Sequence, residues 1–132
     1  MTRDPAPWIL AAGVFNGVLA AFHISFWRLF NWPRSLSDSG NVNRGVTQIL
    51  NLAITYLFVL CALMCFLYPA ELAMTALGRF WLVAMSGFWL ARALIQPPFF
   101  GLRHVLSLTL FGVFILGAVI HGAVWAIASG FV

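Results

Sequence analysis

The sequence predicts an all-α integral membrane protein, an up-down bundle of four transmembrane helices in a single domain, residues 1–132. Two observations predict this class. Of the 132 residues, 63% are hydrophobic and only 8% are charged, whereas a soluble domain is about 45–50% apolar and about 25% charged. The apolar residues also fall into four long runs, and each run reaches the roughly 20 residues that a helix needs to cross the hydrocarbon of a bilayer.

The first two predicted spans are residues 8–30 and 44–67. The first ends before Pro33, because proline cannot continue a helix and disfavours helical geometry in the residue before it. A polar stretch, residues 34–43, forms the longest loop, and Pro69 follows the second span. The first run is longer than the apolar core of a signal peptide, which has about 7–15 residues, so we interpret it as a retained span.

The third predicted span is residues 70–95. Its end is predicted by Pro97 and Pro98, which follow it directly in the chain and interrupt the helical hydrogen-bond ladder. Gly78 and Arg79 are a candidate division between an interfacial first part and the membrane-crossing part. The third span is therefore predicted to include a short helix at the membrane surface.

The fourth predicted span, residues 102–129, completes an up-down topology, because short connections after the second and third spans place neighbouring helices antiparallel. All seven basic residues are arginines. Five lie at the end of the bundle that carries the first and third loops, so the positive-inside rule predicts that these loops are cytoplasmic and that both termini lie on the outer side of the membrane. The five are Arg28, Arg34, Arg44, Arg92 and Arg103, and the opposite end has Arg3 and Arg79.

Polar side chains recur every three or four residues inside the spans, so each predicted helix carries a polar stripe along one face. Such groups are costly in hydrocarbon and require partners. We expect the stripes to face one another around a polar, arginine-biased pocket in the cytoplasmic half. The candidate ligand-binding residues are His23, Gln48, Asn51, Arg92, Gln96 and His104. The alternative is that these side chains only pack the helices or reach the lipid headgroups.

Acidic residues are scarce, and this scarcity argues against cation carriers, metal-binding proteins and hydrolases. Asp4 and Asp38 lie in a tail and a loop, and Glu71 lies near the outer start of the third span. Proton-coupled cation carriers use a membrane-embedded carboxylate, and zinc or calcium sites use carboxylates or clustered Cys and His. Hydrolases need an activated nucleophile with a base and an orienting acid. We therefore expect no metal, no catalytic residue and no enzymatic activity, and the scattered arginines indicate no nucleic-acid partner.

Three functions stay open from the residues alone. The first is a non-enzymatic accessory or small-ligand-binding bundle without a cofactor, whose pocket holds an anionic or carbonyl-bearing ligand such as a lipid headgroup. The second is a redox subunit that binds haem or quinone, because His23 and His104 are the histidines at similar depth. The third is a small transporter or channel built as a homo-oligomer, or with a membrane protein partner, through the small-residue motifs at residues 13–17 and 118–126.

Three motifs distributed over most of the chain carry a resemblance to known proteins. They are Phe22-His23-x-x-Phe26-Trp27-Arg28, Asn43-Arg44-x-x-x-Gln48-x-x-Asn51 and Phe99-Phe100-Gly101. Together they resemble small bacterial four-span inner-membrane proteins of no assigned activity. The resemblance implies a bacterial plasma membrane and no known catalysis.

Overall fold

The structure is a computed structural model that describes residues 4–131. The described residues are 88% helical and include no strand, which confirms the predicted all-α class. Arg3, one of the two arginines assigned to the periplasmic end, lies outside the described residues. The helices are, in chain order, α1 (Ala6–Ile24), α2 (Phe26–Leu29), α3 (Trp32–Ser35), α4 (Gly40–Leu67), α5 (Pro69–Met74), α6 (Ala76–Phe100) and α7 (Val105–Ala128), and a 3-10 turn, Ser37–Ser39, precedes α4.

Three helical stretches within the described residues are long and apolar enough to cross a membrane. They are α1, the stretch Trp32–Leu67 that ends with α4, and α7. Their length and composition indicate a membrane protein, as predicted. The 25-residue α6 is long enough, but it includes Arg79, Arg92 and Gln96 and is not among the three. A fourth crossing and a four-helix membrane bundle therefore stay predictions.

The first long helix ends earlier than predicted. The predicted span extended to residue 30, whereas α1 ends at Ile24 and α2 begins at Phe26. Between them, the Ser25 hydroxyl donates to the carbonyl of Phe22 at 2.6 Å. Asn31, in the left-handed conformation with φ 47° and ψ 47°, then turns the chain into α3, a geometry that asparagine tolerates better than most residues. Ser25, through its hydroxyl bond, and Asn31, through its left-handed backbone, thus mark the two breaks in this stretch.

The predicted third span is divided at Thr75, three residues before the predicted Gly78 and Arg79. The Thr75 hydroxyl donates to the carbonyl of Glu71 at 2.8 Å and accepts the N–H of Gly78 at 2.9 Å. It therefore closes the end of α5 and caps the start of α6. The Arg79 guanidinium donates to the last two carbonyls of α5, so this arginine also caps that helix.

The prediction that Pro97 and Pro98 end the third span near residue 95 was wrong, because α6 continues through both prolines to Phe100. A proline disfavours helical geometry in the residue before it, and here that residue is Gln96, whose side chain is held by the hydrogen bonds described below. Prolines are tolerated in membrane helices where neighbouring groups compensate for the lost backbone bond. The helix ends at Gly101, which has φ +65° and donates its N–H to the Pro97 carbonyl at 2.8 Å.

The chain forms two compact units, each with one antiparallel pair of long helices. The first unit contains residues up to Ala12 and from Cys65 onward, and the second contains Gly13–Met64. In the first unit α6 pairs with α7, since partners late in α6 lie opposite residues early in α7. The pairs are Ser86 with Ala118 and Gln96 with Ser107. In the second unit α1 pairs with α4, and the pairs are Gly17 with Ala62 and His23 with Asn51.

The small-residue motifs contribute to these pairings within one chain. A Cβ atom at Gly122 would lie 3.0 Å from the Ser86 hydroxyl, so glycine at this position lets α7 approach α6 closely. A Cβ atom at Gly17 would lie 4.0 Å from Ala62 Cβ, an ordinary packing distance. The sequence had left open whether such residues face another helix of the same chain or another protomer, and these two face their own chain.

Candidate functional site

Arg92 lies on the inner face of the α6–α7 pair, about two turns before the end of α6. Its half-buried guanidinium covers the ring of Phe114 on α7, with Cζ 4.4 Å from the ring centroid, a cation–π arrangement. Trp89 stacks on the same ring at a centroid distance of 5.9 Å. The guanidinium Nη1 donates to Gln96 Oε1 at 2.9 Å. We call Arg92, Gln96, Ser107 and Phe114 the arginine centre.

Gln96 connects Arg92 to the turn between α6 and α7. It is 2% exposed. Its Nε2 donates to the Ser107 hydroxyl at 2.9 Å, and that hydroxyl donates to the carbonyl of Gly101. The amide oxygen of Gln96 therefore faces the guanidinium, and the amide nitrogen faces α7. This chain of hydrogen bonds fixes both the hairpin turn and one edge of the Arg92 guanidinium.

The positive charge of Arg92 has no carboxylate partner among the described residues. The three acids of the sequence are all exposed, and they are Asp4, Asp38 and Glu71. Asp4 accepts the N–H of Ala6, and Asp38 accepts the hydroxyl of Ser37. A guanidinium has five N–H donors in a planar fork that matches a carboxylate or a phosphate. The arginine centre thus has the chemistry of an anion-binding group.

His23 and Asn51 form a reciprocal pair between α1 and α4, which we call the His23–Asn51 clasp. Asn51 Nδ2 donates to the backbone carbonyl of His23 at 2.9 Å. The amide oxygen therefore faces the imidazole, and His23 Nδ1 donates to it at 2.8 Å, so the proton of the neutral ring lies on Nδ1. The His23 carbonyl is among the last four of α1, which have no partner inside the helix. Asn51 thus caps one helix from another.

Aromatic rings surround the imidazole of the clasp. His23 stacks on Phe26 at a centroid distance of 4.5 Å and meets the ring of Phe58 edge-on at 5.3 Å. Asn51 is 5% exposed, and the Thr55 hydroxyl donates to its carbonyl at 2.7 Å. The clasp is therefore a rigid polar group in apolar surroundings, where a lost hydrogen bond is costly.

The remaining two candidates take other places in the structure. Gln48 is half-buried on α4, three residues before Asn51 and on the same face. His104 is exposed and immediately precedes α7, where its Nδ1 accepts the N–H of Leu106 at 3.3 Å. Because the cap uses the lone pair of Nδ1, the proton of the neutral ring lies on Nε2. His104 therefore acts as a helix cap in this structure.

His121 is a buried histidine on α7. It is 0% exposed, and its Nδ1 donates to the carbonyl of Gly117 at 2.8 Å, four residues earlier. The ring of Trp81 lies at a centroid distance of 6.2 Å. These contacts are those of a packed helix-interior side chain. Among the described residues, no three of His, Cys, Asp and Glu come together in a group that could hold a metal ion.

Four of the six candidate residues thus lie in local pairs, His23 with Asn51 in one unit and Arg92 with Gln96 in the other. Arg92 and Gln96 lie four residues apart on one helix, so they share a face. Phe114 was not among the candidates, although it lies seven residues after Ser107 on the same predicted stripe of α7. Phe111 and Phe114 are both rings on that stripe, and the register between α6 and α7 decides which of them meets Arg92.

The chain was also compared with known proteins. No family model, curated protein or solved structure matches it. The arginine centre and the clasp are therefore the features from which a function is inferred.

Proposed function

We propose that this chain is a non-enzymatic, multi-pass protein of a bacterial inner membrane that binds an anionic group, such as a lipid headgroup, at the arginine centre. The observation that carries the proposal is the half-buried guanidinium of Arg92, which has no carboxylate partner among the described residues. An arginine charge at the level of the hydrocarbon is costly when it has no counter-ion. A bound phosphate or carboxylate supplies that counter-ion.

The donor arrangement around Arg92 supports one bound anion. Gln96 occupies a single N–H of the guanidinium, and Phe114 covers one of its faces. The other donors lie in the plane of the fork, where a phosphate or carboxylate accepts two parallel hydrogen bonds. Lysine has no such fork, so the proposal predicts a preference for arginine at this position.

The membrane arrangement belongs to the same proposal. The chain crosses the membrane four times as a four-helix bundle, with the loops around residues 31–43 and 101–104 in the cytoplasm and both termini in the periplasm. The pairing of α6 with α7 along their lengths supports a fourth crossing, because α7 is long and apolar enough to cross. The resemblance to small bacterial four-span proteins supports the inner membrane. The lipid bilayer is the proposed partner.

Several hydroxyls have packing contacts, and this supports a non-enzymatic role. The hydroxyls of Ser25, Ser86 and Ser107 each donate to a backbone carbonyl. A catalytic serine instead donates its proton to a base, which a third group orients. These hydrogen bonds fix helix ends and helix contacts.

A second candidate function is haem or quinone binding through His23. The observation that favours it is the Nδ1 hydrogen bond to Asn51, since histidines that bind metals through Nε2 commonly hold the other ring nitrogen in this way. Its proposed partner His104 would have to give up the cap of α7. A Soret band in the purified protein would support this function, and its absence would eliminate haem.

Native mass spectrometry of the detergent-purified protein tests the arginine centre. We expect an anionic adduct on the wild-type protein, reduced about tenfold or more in Arg92→Gln, because a hydrogen bond to a charged group contributes about 1.5–3 kcal/mol. Arg103→Gln, which removes an exposed arginine from the α6–α7 loop, is the matched control and retains the adduct. Arg92→Lys keeps the charge without the fork and gives an intermediate loss. Equal adduct in folded Arg92→Gln and wild type would refute the proposal.

A further inference from the structure

The segment between α1 and α4, residues 25–39, contains α2, α3 and the 3-10 turn, and we call it the elbow. It joins α1 to α4, two helices that are long and apolar enough to cross a membrane. The chain reverses direction here, because α1 and α4 are antiparallel. The elbow of a protein that crosses the bilayer with these two helices therefore lies at the level of the lipid headgroups.

The elbow contains an aromatic cluster. Trp27 and Trp32 have ring centroids 4.9 Å apart, and Phe26 lies 4.8 Å from Phe30 and 5.8 Å from Trp32. These contacts connect α2 to α3 across the turn at Asn31. Tryptophan and phenylalanine rings of this kind are typical of the interface between hydrocarbon and headgroups. The cluster, in which Trp32 is buried, therefore fixes the elbow as a folded unit.

The elbow carries two exposed arginines. Arg28 lies in the last turn of α2 and Arg34 in the last turn of α3, and both are exposed. No side-chain hydrogen bond or ion pair within the described chain holds either one. The acid of the elbow, Asp38, accepts the hydroxyl of Ser37 instead. The basic charge at this surface is thus available to a group outside the chain.

We propose that the elbow is a binding surface for anionic phospholipid headgroups, which Arg28 and Arg34 contact. Charge complementarity selects this occupant, because an arginine near an anionic membrane surface strengthens binding about fivefold. The surface is independent of the arginine centre. Its charges are exposed and are screened by salt, whereas the half-buried charge of Arg92 is screened much less.

Photo-crosslinking in vesicles tests the surface. The full chain is reconstituted in phosphatidylcholine vesicles with about one third phosphatidylglycerol, and a photoactivatable analogue of either lipid is added. Crosslinks to the peptide that contains the elbow are then quantified by mass spectrometry. We expect the phosphatidylglycerol probe to label this peptide more strongly than the phosphatidylcholine probe, and high salt to remove the difference.

Variants test whether the two arginines of the elbow cause the phosphatidylglycerol labelling. The double variant Arg28→Gln/Arg34→Gln is expected to lower phosphatidylglycerol labelling about fivefold or more. Arg103→Gln and the charge-conserving Arg28→Lys/Arg34→Lys retain it. Equal labelling by both probes, or unchanged labelling in the double glutamine variant, overturns the proposal. If the glutamine variant does not fold, the comparison of the two probes at low and high salt on the wild-type chain decides alone.

Discussion

Asn51 shows how much a single side chain contributes when it is surrounded by apolar groups. Its Nδ2 donates a hydrogen bond to the His23 carbonyl, which has no partner inside α1, and its Oδ1 accepts a hydrogen bond from the imidazole of His23. The same residue offers its own carbonyl to Thr55. An asparagine with both ends occupied joins two helices at a defined register, since a slide of one residue would break both hydrogen bonds.

A double-mutant cycle on the clasp measures the coupling free energy between His23 and Asn51. Asn51→Ala is expected to lower the free energy of unfolding by about 1–2 kcal/mol, because interhelical hydrogen bonds in membranes contribute roughly 0.6–1.7 kcal/mol each. The cycle with His23→Ala should give a coupling of the same order. Reversible unfolding in mixed micelles provides the numbers, with Asn43→Ala, at an exposed position of α4, as the neutral control. Strictly additive effects would show that the two side chains do not act together.

The pairs at the residue scale were only partly predictable from the sequence. A spacing of four places Arg92 and Gln96 on one helix face, so their contact follows from helix geometry. Phe114 could not be assigned to Arg92, because their meeting depends on the register between α6 and α7. The sequence predicts His104 at the same membrane depth as His23, but in the structure His104 lies one residue before α7. The hydropathy pattern does not resolve a helix start to one residue, so it does not reveal a cap.

At the scale of the helix, the corner between α5 and α6 is held by close backbone contact. A Cβ atom at Gly78 would overlap the carbonyl of Glu71 and the Cα of Leu72 and would lie 2.6 Å from the carbonyl oxygen of Leu72. These are backbone atoms, so no side-chain rotation relieves the overlap. Gly87, on the same helix, has nothing within 4 Å of an added Cβ atom. The two glycines thus have opposite roles.

Substitution of these two glycines tests the corner. Gly78→Ala is expected to lower the free energy of unfolding by about 1–3 kcal/mol through overpacking. Gly87→Ala should leave it unchanged or raise it by about 1 kcal/mol, because alanine favours a helix. Thermal unfolding of both variants in the same detergent compares them directly. Equal melting temperatures for the two would mean that α5 does not pack against the start of α6.

The helix breaks show which part of the fold a hydropathy pattern can predict. The apolar runs located all four long helices, since length and composition alone set them. The breaks at Ser25 and Thr75 depend on hydroxyls that bond to nearby backbone groups, and a hydroxyl has no such signature in an apolar run. The continuation of α6 through Pro97 was equally hidden, and so was the hydrogen bond that Gln96, the residue before it, donates to Ser107 of α7.

At the scale of the whole molecule, arginines of one sequence have different tasks. Arg79 caps α5, Arg92 forms the arginine centre, and Arg28 and Arg34 are exposed on the elbow. A charge count treats them alike, so it predicts the orientation of the chain in the membrane but not these tasks. The side of the membrane on which each loop lies also depends on whether α6 crosses the bilayer.

The number of crossings is testable because three and four crossings place the loops differently. Four crossings put residue 102 on the same side as residue 43, whereas three crossings without α6 place these two residues on opposite sides. The antiparallel pairing of α6 and α7 favours four, since 25 residues of helix extend about 37 Å, more than the roughly 30 Å of hydrocarbon. Arg92 then lies inside the membrane and close to its cytoplasmic end.

Single cysteines placed at four positions report this topology. In a chain whose native cysteines, Cys61 and Cys65, are replaced by alanine, a membrane-impermeant maleimide is added to intact cells. We expect the reagent to label cysteines at the periplasmic positions, and to label those at the cytoplasmic positions only after the membrane is opened, because the arginine bias orients the chain. The periplasmic variants are Asp4→Cys and Met74→Cys, and the cytoplasmic variants are Asn43→Cys and Leu102→Cys. Labelling of Leu102→Cys but not Asn43→Cys in intact cells would show that the chain crosses an odd number of times between them.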